Sequence, residues 1–350
     1  MATKHGDTYY TGTDLARGKD FRAAVVSFFD GMLSHHQALL SNGKALCGGN
    51  PDNLLVVVCA RDREKPLPPG SAPSILSPAE RLRMLHHLGY HHIYPLTIGD
   101  HRDADGKNTV ERSGTPLSDG HHEKPNNPLT DGHDEKPTKS LTDGCDGLPG
   151  AGILFTKARQ VIAGADVQHL KPFRDLPDVA PNEATNRHHD IIQLIESGRV
   201  EAAGSALGYA YPLEGTVVEG NRIGRTLGYP TANLRQSDYH KAEPGQGVYV
   251  ALVQSGGTWY RSMVNIGIRP TLDMEHVTIE AHLFDFDKDI YGEMITIAFL
   301  GRIRDEMRFN SLSQLKMQLN QDSIRAKQEL DRLAPSSAAV DFVFTGHRGR

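Results

Sequence analysis

Only three cysteines occur in 350 residues, Cys47, Cys59 and Cys145, an odd number at wide spacing. That argues against a disulfide framework and against a closed zinc site, and it suits a reducing cytoplasm. Positive charge is not in excess: 38 lysines and arginines face 43 aspartates and glutamates, a formal net charge of −5. No global basic field therefore draws the chain to nucleic acid or to an anionic membrane. No apolar run approaches the roughly 18 to 20 residues of a membrane-spanning helix. The opening Met1-Ala-Thr-Lys-His-Gly-Asp7 lacks the apolar segment of a secretory signal.

What is present is a chain long enough for two domains, each with its own core. A hydrophobic fraction of 38% and a charged fraction of 23% fit a soluble globular protein diluted by something polar. Residues 23–29, Ala-Ala-Val-Val-Ser-Phe-Phe, form a short apolar run, and a helix is expected from about His35 to Leu46. Leu54-Leu-Val-Val-Val-Cys59 is a continuous apolar run of the kind buried on both faces of a parallel sheet. Ser77-Pro-Ala-Glu80 offers an N-cap, a proline at the first helical position and a capping glutamate, so a helix should run to Leu88. His92 to Leu96 gives a third strand. This alternation predicts a doubly wound α/β domain.

Between Gly99 and Gly150 the alternation stops. Pro116–Pro125, Pro128–Pro137 and Ser140–Gly147 repeat one unit at a period of 12, each with a single leucine among turn formers and charges. So little apolar surface does not offset the entropy of ordering the segment, and a disordered insertion is expected. His121, His122, His133 and Cys145 stand in it with nothing to position them as metal ligands. Order should resume near Ile153, with a strand and turn at Val161–Asp166 and helices over about His188–Glu196 and Arg199–Leu207.

After residue 206 the period becomes two. In Val277–Phe284 the residues Val277, Ile279, Ala281 and Leu283 alternate with Thr278, Glu280 and His282, as in a strand with one face on a core. Similar runs at 215–219, 247–254, 258–265 and 293–299 predict an antiparallel barrel. Ser311-Leu-Ser-Gln314 is a second capping box, opening a helix to about Leu333 that should cover one end of the barrel. The tail from Ala334 should be loose.

The most informative stretch is Gly215 to Leu234. It begins as an apolar strand and breaks into a loop with Gly220, Gly224 and Gly228, then brings Pro230, Thr231 and Asn233 together. Glycines allow backbone N–H groups to approach phosphate oxygens. A hydroxyl and an amide carbonyl two residues apart are hard oxygen donors that Mg²⁺ accepts.

The string resembles the ATP- and Mg²⁺-binding signature of riboflavin kinases, G-x-V-x-x-G-x-x-x-G-R-x-L-G-[FY]-P-T-A-N-L, at every fixed position. The resemblance continues through Gly247-Val-Tyr249, Asn265-Ile-Gly267, Glu280-Ala-His-Leu-Phe-Asp285, Ile290-Tyr-Gly292 and Leu300–Arg304, over roughly residues 206 to 332. It implies a kinase that moves the ATP γ-phosphoryl group to the 5′-hydroxyl of riboflavin, with riboflavin and ATP as small-molecule substrates and Mg²⁺ as cofactor. By the same resemblance the loop from Gly220 to Gly228 covers the phosphates, with Arg225 a phosphate contact and Pro230 part of the site. Thr231 and Asn233 ligate Mg²⁺, Glu280 is the general base, and Arg304 is a flavin-site residue. No nucleic acid, no membrane and no particular oligomeric state is implied.

The first half resembles the FMN adenylyltransferase module that precedes such kinases in bifunctional FAD synthetases. Its phosphate motif, G-N-F-D-G-V-H-L-G-H-Q, appears as Ser27-Phe-Phe-Asp30-Gly31-Met-Leu33-Ser-His35-His36-Gln37. Asp30, Gly31, His36 and Gln37 match. Leu33 replaces the first histidine and cannot donate a hydrogen bond to phosphate, while His35 replaces a glycine. Further on, Arg61–Pro66 lacks the histidine of the D-P-H-P stretch, Gly164-Ala-Asp166 is what remains of G-x-D-F-x-F-G, and Arg187–Ile192 keeps only the isoleucine of S-S-T-x-I-R.

The expected organisation is thus an α/β, doubly wound nucleotidyltransferase-like domain over 1–205, degenerate in its motifs and carrying the insertion at about 99–150. An antiparallel β-barrel kinase domain with a C-terminal helix follows over 206–335, then a tail at 336–350. Alternatives are a bifunctional kinase and adenylyltransferase, or a flavin-responsive binding protein.

Overall fold

Ala23–Ser27 (β2) and Leu54–Arg61 (β3) pair in parallel, and His92–Ile98 (β4) pairs in parallel on the far side of β3. The first six residues of β3 are buried, which is why Leu54 to Cys59 can be apolar without alternation. The computed structural model describes residues 8–9, 21–61, 65–67, 70–98, 101–102, 108–109, 153–156, 181–220, 223–270 and 275–333. The 12-residue repeats, the strand expected at Val161–Asp166 and the tail from Ala334 lie outside these residues.

The chain forms two compact units. One comprises residues 1–62 and 88–185, the other 63–87 and 186–350. In the first, a five-stranded sheet runs in the order β1-β4-β3-β2-β7, where β1 is Thr8–Tyr9 and β7 is Ile153–Thr156. All neighbours are parallel except β7, which is antiparallel to β2. A two-stranded ladder joins β5 (His101–Arg102) to β6 (Asn108–Thr109). The run at 23–29 ends as a strand at Ser27, because Phe29 adopts a left-handed conformation with φ 51° and turns the chain into helix α1, Ser34–Leu46. The α/β sheet is the architecture the alternation predicts.

In the second unit, Pro78–His87 (α2) begins with the capping box read from the sequence. The Glu80 N–H donates to Ser77 Oγ at 3.2 Å, and the Ser77 N–H donates to Glu80 Oε2 at 2.7 Å. Glu80 also receives the Lys241 ammonium, both side chains being buried. Ser74 exchanges backbone hydrogen bonds with the 240–242 segment: its N–H donates to the His240 carbonyl at 2.7 Å, and its carbonyl accepts from Ala242 at 2.8 Å. These bonds explain why residues 63–87 count with the second unit.

Helices Pro181–Glu196 (α3) and Val200–Leu207 (α4) lead into six strands. These are β8 (Tyr211–Val218), β9 (Ala232–Gln236), β10 (Gly247–Ser255), β11 (Thr258–Pro270), β12 (Glu275–Leu283) and β13 (Met294–Arg304). They close an antiparallel barrel in the order β10-β11-β12-β9-β8-β13. Strand β9 was not expected as a strand; pairing with β8 and β12 overrides its polar sequence. Tyr211, Tyr249 and Phe299, all fully buried, pack with ring centroids 5.3 and 6.4 Å apart. Leu312–Leu333 (α6) packs against β10, β11 and β13. Its first turn is held by the Gln314 N–H donating to Ser311 Oγ at 3.2 Å. Among the described residues no helix is long and apolar enough to cross a membrane.

Candidate functional site

One register row runs round the barrel: Asn233 on β9 lies opposite Glu280 on β12, Glu280 opposite Asn265 on β11, Asn265 opposite Val248 on β10, and Val248 opposite Arg304 on β13. Directly opposed residues of a ladder point to the same face. The row therefore gathers Glu280, Asn265, Val248 and Arg304, from four successive strands, onto the wall of a cavity of about 290 Å³. The two-residue period of β12 adds Thr278 and His282 to that wall.

The glycine loop closes one side. A methyl group at Gly220 would lie 2.2 Å from Asn233 Nδ2, so the Asn233 side chain lies against that glycine. A methyl group at Gly224 would meet the Tyr229 carbonyl at 2.2 Å, because Tyr229 N–H donates to the Gly224 carbonyl at 2.8 Å around the short helix α5, Ile223–Leu227. Gly228 has φ +89°, a left-handed conformation that glycine alone adopts at low cost. Beyond it the Pro230 carbonyl accepts from His282 Nδ1 at 2.7 Å, and the Thr231 hydroxyl donates to Glu280 Oε2 at 3.2 Å.

Helix α6 and the segment after β13 close the other side with Phe309, Leu315, Leu319 and Asp322. Asp322, 2% exposed, takes Arg304 Nε at 3.0 Å from both its oxygens and Nη2 at 2.7 Å. Gln318 donates to the same carboxylate at 2.8 Å. Arg304 is thus held by a buried ion pair while still lining the cavity. Partial desolvation pushes the Glu306 carboxyl above its ordinary range, Arg304 opposing and the nearby Glu280 adding to the shift. Burial likewise pushes His282 down; the Pro230 hydrogen bond opposes this and the Lys327 charge assists it.

Of the residues expected from the sequence, Gly224, Thr231, Glu280 and Arg304 line the cavity. Asn233 and Gly220 stand against each other one ladder position from Glu280. Arg225, Gly228 and Pro230 are exposed on the loop beside it. Asn265, His282, Glu306 and Asp322 were not singled out. Asn265 and His282 lie inside motifs of the resemblance; register sets Asn265 opposite Glu280, while His282 shares its strand face by the two-residue period.

The donor set suits a hard cation in one specific way. Among the described residues no group of three or more His, Cys, Asp or Glu is arranged to hold a metal. The Thr231 hydroxyl and the Asn233 amide supply two hard oxygens, and a divalent ion held there would complete its shell with ligand oxygens and water. A hydroxyl whose proton points at Glu280 turns its lone pairs elsewhere, as a cation ligand must.

In the other unit, the residues matching the phosphate motif are occupied locally. His36, 1% exposed, accepts the Leu33 N–H on Nδ1 at 3.1 Å, and its Nε2 lies 3.1 Å from His35 Nε2. Gln37 donates to the Met32 carbonyl at 3.1 Å. Leu33, 4% exposed, is part of the core.

Residues 207–330 match the family described as Flavokinase: Riboflavin kinase. The chain is 37% identical over 138 residues to the bifunctional riboflavin kinase/FMN adenylyltransferase of Haemophilus influenzae, which is 39% of this chain and 44% of that protein. It is 41% identical over 111 residues to the RNA-binding riboflavin kinase RibR of Bacillus subtilis, 31% of this chain and 47% of that one. These matches span less than half the length of either relative. Among solved structures, a protein from Streptococcus pneumoniae titled a macrolide-efflux protein superposes with a TM-score of 0.56 at 25% identity, over 92% of this chain and 99% of its own.

Proposed function

We propose that through residues 207–330, which match the riboflavin kinase family, the chain transfers the γ-phosphoryl group of ATP to the 5′-hydroxyl of riboflavin, yielding FMN. The observation that carries this reading is the contact between Thr231 and Glu280 on the wall of one cavity. Phosphoryl transfer needs clamped phosphates, offset charge and a group that takes the proton of the attacking hydroxyl.

Each need has residues. Met263, Ile268, Phe309, Leu315 and Leu319 give the cavity an apolar wall for a flat flavin ring. Glu280, on the same wall, is the base for the hydroxyl at the end of the ribityl chain. Thr231 fixes the Glu280 carboxylate in one orientation by donating to it. Thr231 and Asn233 would hold Mg²⁺, which supplies positive charge to the phosphate oxygens when bound. Backbone N–H groups from Ile223 to Gly228, with Arg225, would take the phosphate oxygens. In this assignment residues 206–335 carry the kinase and residues 1–205 a nucleotidyltransferase-like domain. The setting is the cytoplasm, where ATP is abundant and thiols such as Cys47 and Cys59 stay reduced.

The second reading, a chain that also adenylates FMN to FAD, has the names of several relatives in its favour. Against it stands His36, whose two ring nitrogens are engaged by its own segment, and Leu33, which offers phosphate no donor. FMN is therefore the expected end product. Incubation of the purified chain with riboflavin, ATP and Mg²⁺, with flavins separated over time, tests both points. FMN accumulating without FAD supports the assignment. FAD formation overturns the loss of adenylyl transfer, and no FMN overturns the kinase itself.

A further inference from the structure

The backbone ladder between β9 and β12 runs Leu234 opposite Ile279, Asn233 opposite Glu280 and Ala232 opposite Ala281, and stops there. The next residues back along the chain, Thr231 and Pro230, approach His282 without a ladder bond. Pro230 has no N–H with which to continue the ladder. At that point a side chain takes over: His282 Nδ1 lies 2.7 Å from the Pro230 carbonyl oxygen. A carbonyl only accepts, so Nδ1 carries the proton.

We propose that His282 is a positioning residue for the phosphoryl transfer: by clamping the Pro230 carbonyl it sets the adjoining Thr231 hydroxyl against Glu280 and toward the cation. The inference rests on the kinase reading of this site. Four observations support it. His282 and Glu280 are two residues apart on one strand and line the same cavity, so the clamp and the base share a rigid support. The clamped carbonyl belongs to the residue immediately before Thr231, leaving little slack between clamp and hydroxyl. The imidazole is held on two sides, edge-on to Tyr229 and to Phe284 with ring centroids 5.4 Å apart in each case. Tyr229 in turn reaches Asn320 of α6 through its hydroxyl at 3.4 Å, tying the loop to the far wall.

Burial pushes His282 below its ordinary range, the Pro230 hydrogen bond opposing and Lys327 assisting. The proton on Nδ1 gives the ring a donor directed at Pro230. Gly228 and Pro230, just before Thr231, are exposed, and Gly228 takes the left-handed conformation. Without the clamp the Thr231 hydroxyl loses its fixed distance to Glu280.

The test uses the full chain and three substitutions. His282→Phe keeps a ring against Tyr229 and Phe284 but removes the donor, His282→Ala removes both, and His282→Asn restores an N–H in nearly the place of Nδ1. Since misplacement by about 1 Å can cost about 10²-fold, the Phe and Ala variants should lose about 10- to 100-fold in kcat. Their KM for riboflavin should stay within about threefold, and half-activation should need more Mg²⁺ (ligand positioning is worth about 10- to 100-fold in metal affinity). His282→Asn should recover most of kcat.

A purely structural role predicts otherwise: the Asn variant, which keeps the donor but loses the ring, would be as poor as Ala. That result overturns the proposal, as does parental kcat in the Phe variant. Amide hydrogen exchange over residues 228–234 gives a readout independent of turnover. Exchange should quicken in the Phe variant and not in the Asn variant, and equal exchange in all four proteins rejects the clamp. If the parent makes no FMN, the kinase reading has failed while exchange still decides whether His282 holds the loop.

Discussion

The Thr231 hydroxyl donates to the Glu280 carboxylate at 3.2 Å, across 49 residues of sequence. It does so because Asn233, two residues beyond Thr231, is the register partner of Glu280. One pairing thus brings the expected cation ligands to the expected base. The consequences can be measured.

Replacing Glu280 by Gln keeps the shape and the hydrogen bond from Thr231 but removes the proton acceptor. Turnover should fall by roughly 10² to 10⁴, the usual contribution of a general base, while riboflavin affinity measured by flavin fluorescence stays near the parental value. Near-parental turnover would move the base to another residue, and Glu306 would be the next to examine.

Gly220→Ala places a methyl group where Asn233 now lies, 2.2 Å from its Nδ2. Asn233 must move, and with it one of the two hard-oxygen donors. The Mg²⁺ concentration for half-maximal rate should rise about tenfold or more, as it does when ligand orientation is disturbed. An unchanged Mg²⁺ titration would remove Asn233 from the cation site.

Partial desolvation of its carboxyl pushes Glu306 above the ordinary glutamate range, Arg304 opposing and Glu280 assisting, although the residue as a whole is exposed. The folded state then holds this proton more tightly than the unfolded state. Its contribution to stability is complete below the unfolded value and is lost as pH rises through the folded one. Glu306→Gln should therefore raise the thermal midpoint at pH 7 slightly, solvent screening the effect at an exposed residue, with the gap closing in acid. A lower midpoint at pH 7 would contradict the sign of this shift.

Glu80 and Lys241 form an ion pair whose side chains are 1% and 2% exposed. Removing one charge strands the other. Lys241→Met should destabilise by roughly 3 to 5 kcal/mol in urea unfolding, while the double change with Glu80→Gln should recover much of it. Equal losses in single and double variants would mean the pair is dispensable and the damage is packing alone.

Much of this was legible in the chain. The capping box at Ser77–Glu80 and the Ser311 cap on Gln314 are legible because a cap is a local bargain between residues three apart; the Gln314 side chain itself takes the Asn310 N–H. The uninterrupted apolar run at 54–59 announced a strand covered on both faces, and the two-residue period at 277–284 announced one with a polar side. Ala232–Gln236 was different. Its sequence carries no strand signal, and only β8 and β12 on either side make it one.

By itself the sequence determined which residue types were available for chemistry: the glycines that permit close approach, the hydroxyl and amide that suit a hard cation, and the carboxylate on a polar strand face. Those are properties of single residues and their near neighbours. Tertiary structure decided which of them meet. Closing the barrel set the row of Asn233, Glu280, Asn265, Val248 and Arg304, and it turned His282 from a polar residue on a strand into the partner of Pro230. It also gave Arg304 a buried partner in Asp322 on a helix that follows the barrel. Hydrophobic alternation and turns set the register of neighbouring strands, but the pairings of β9 with β12 and of β10 with β13 join segments separated in sequence and come only with closure of the barrel.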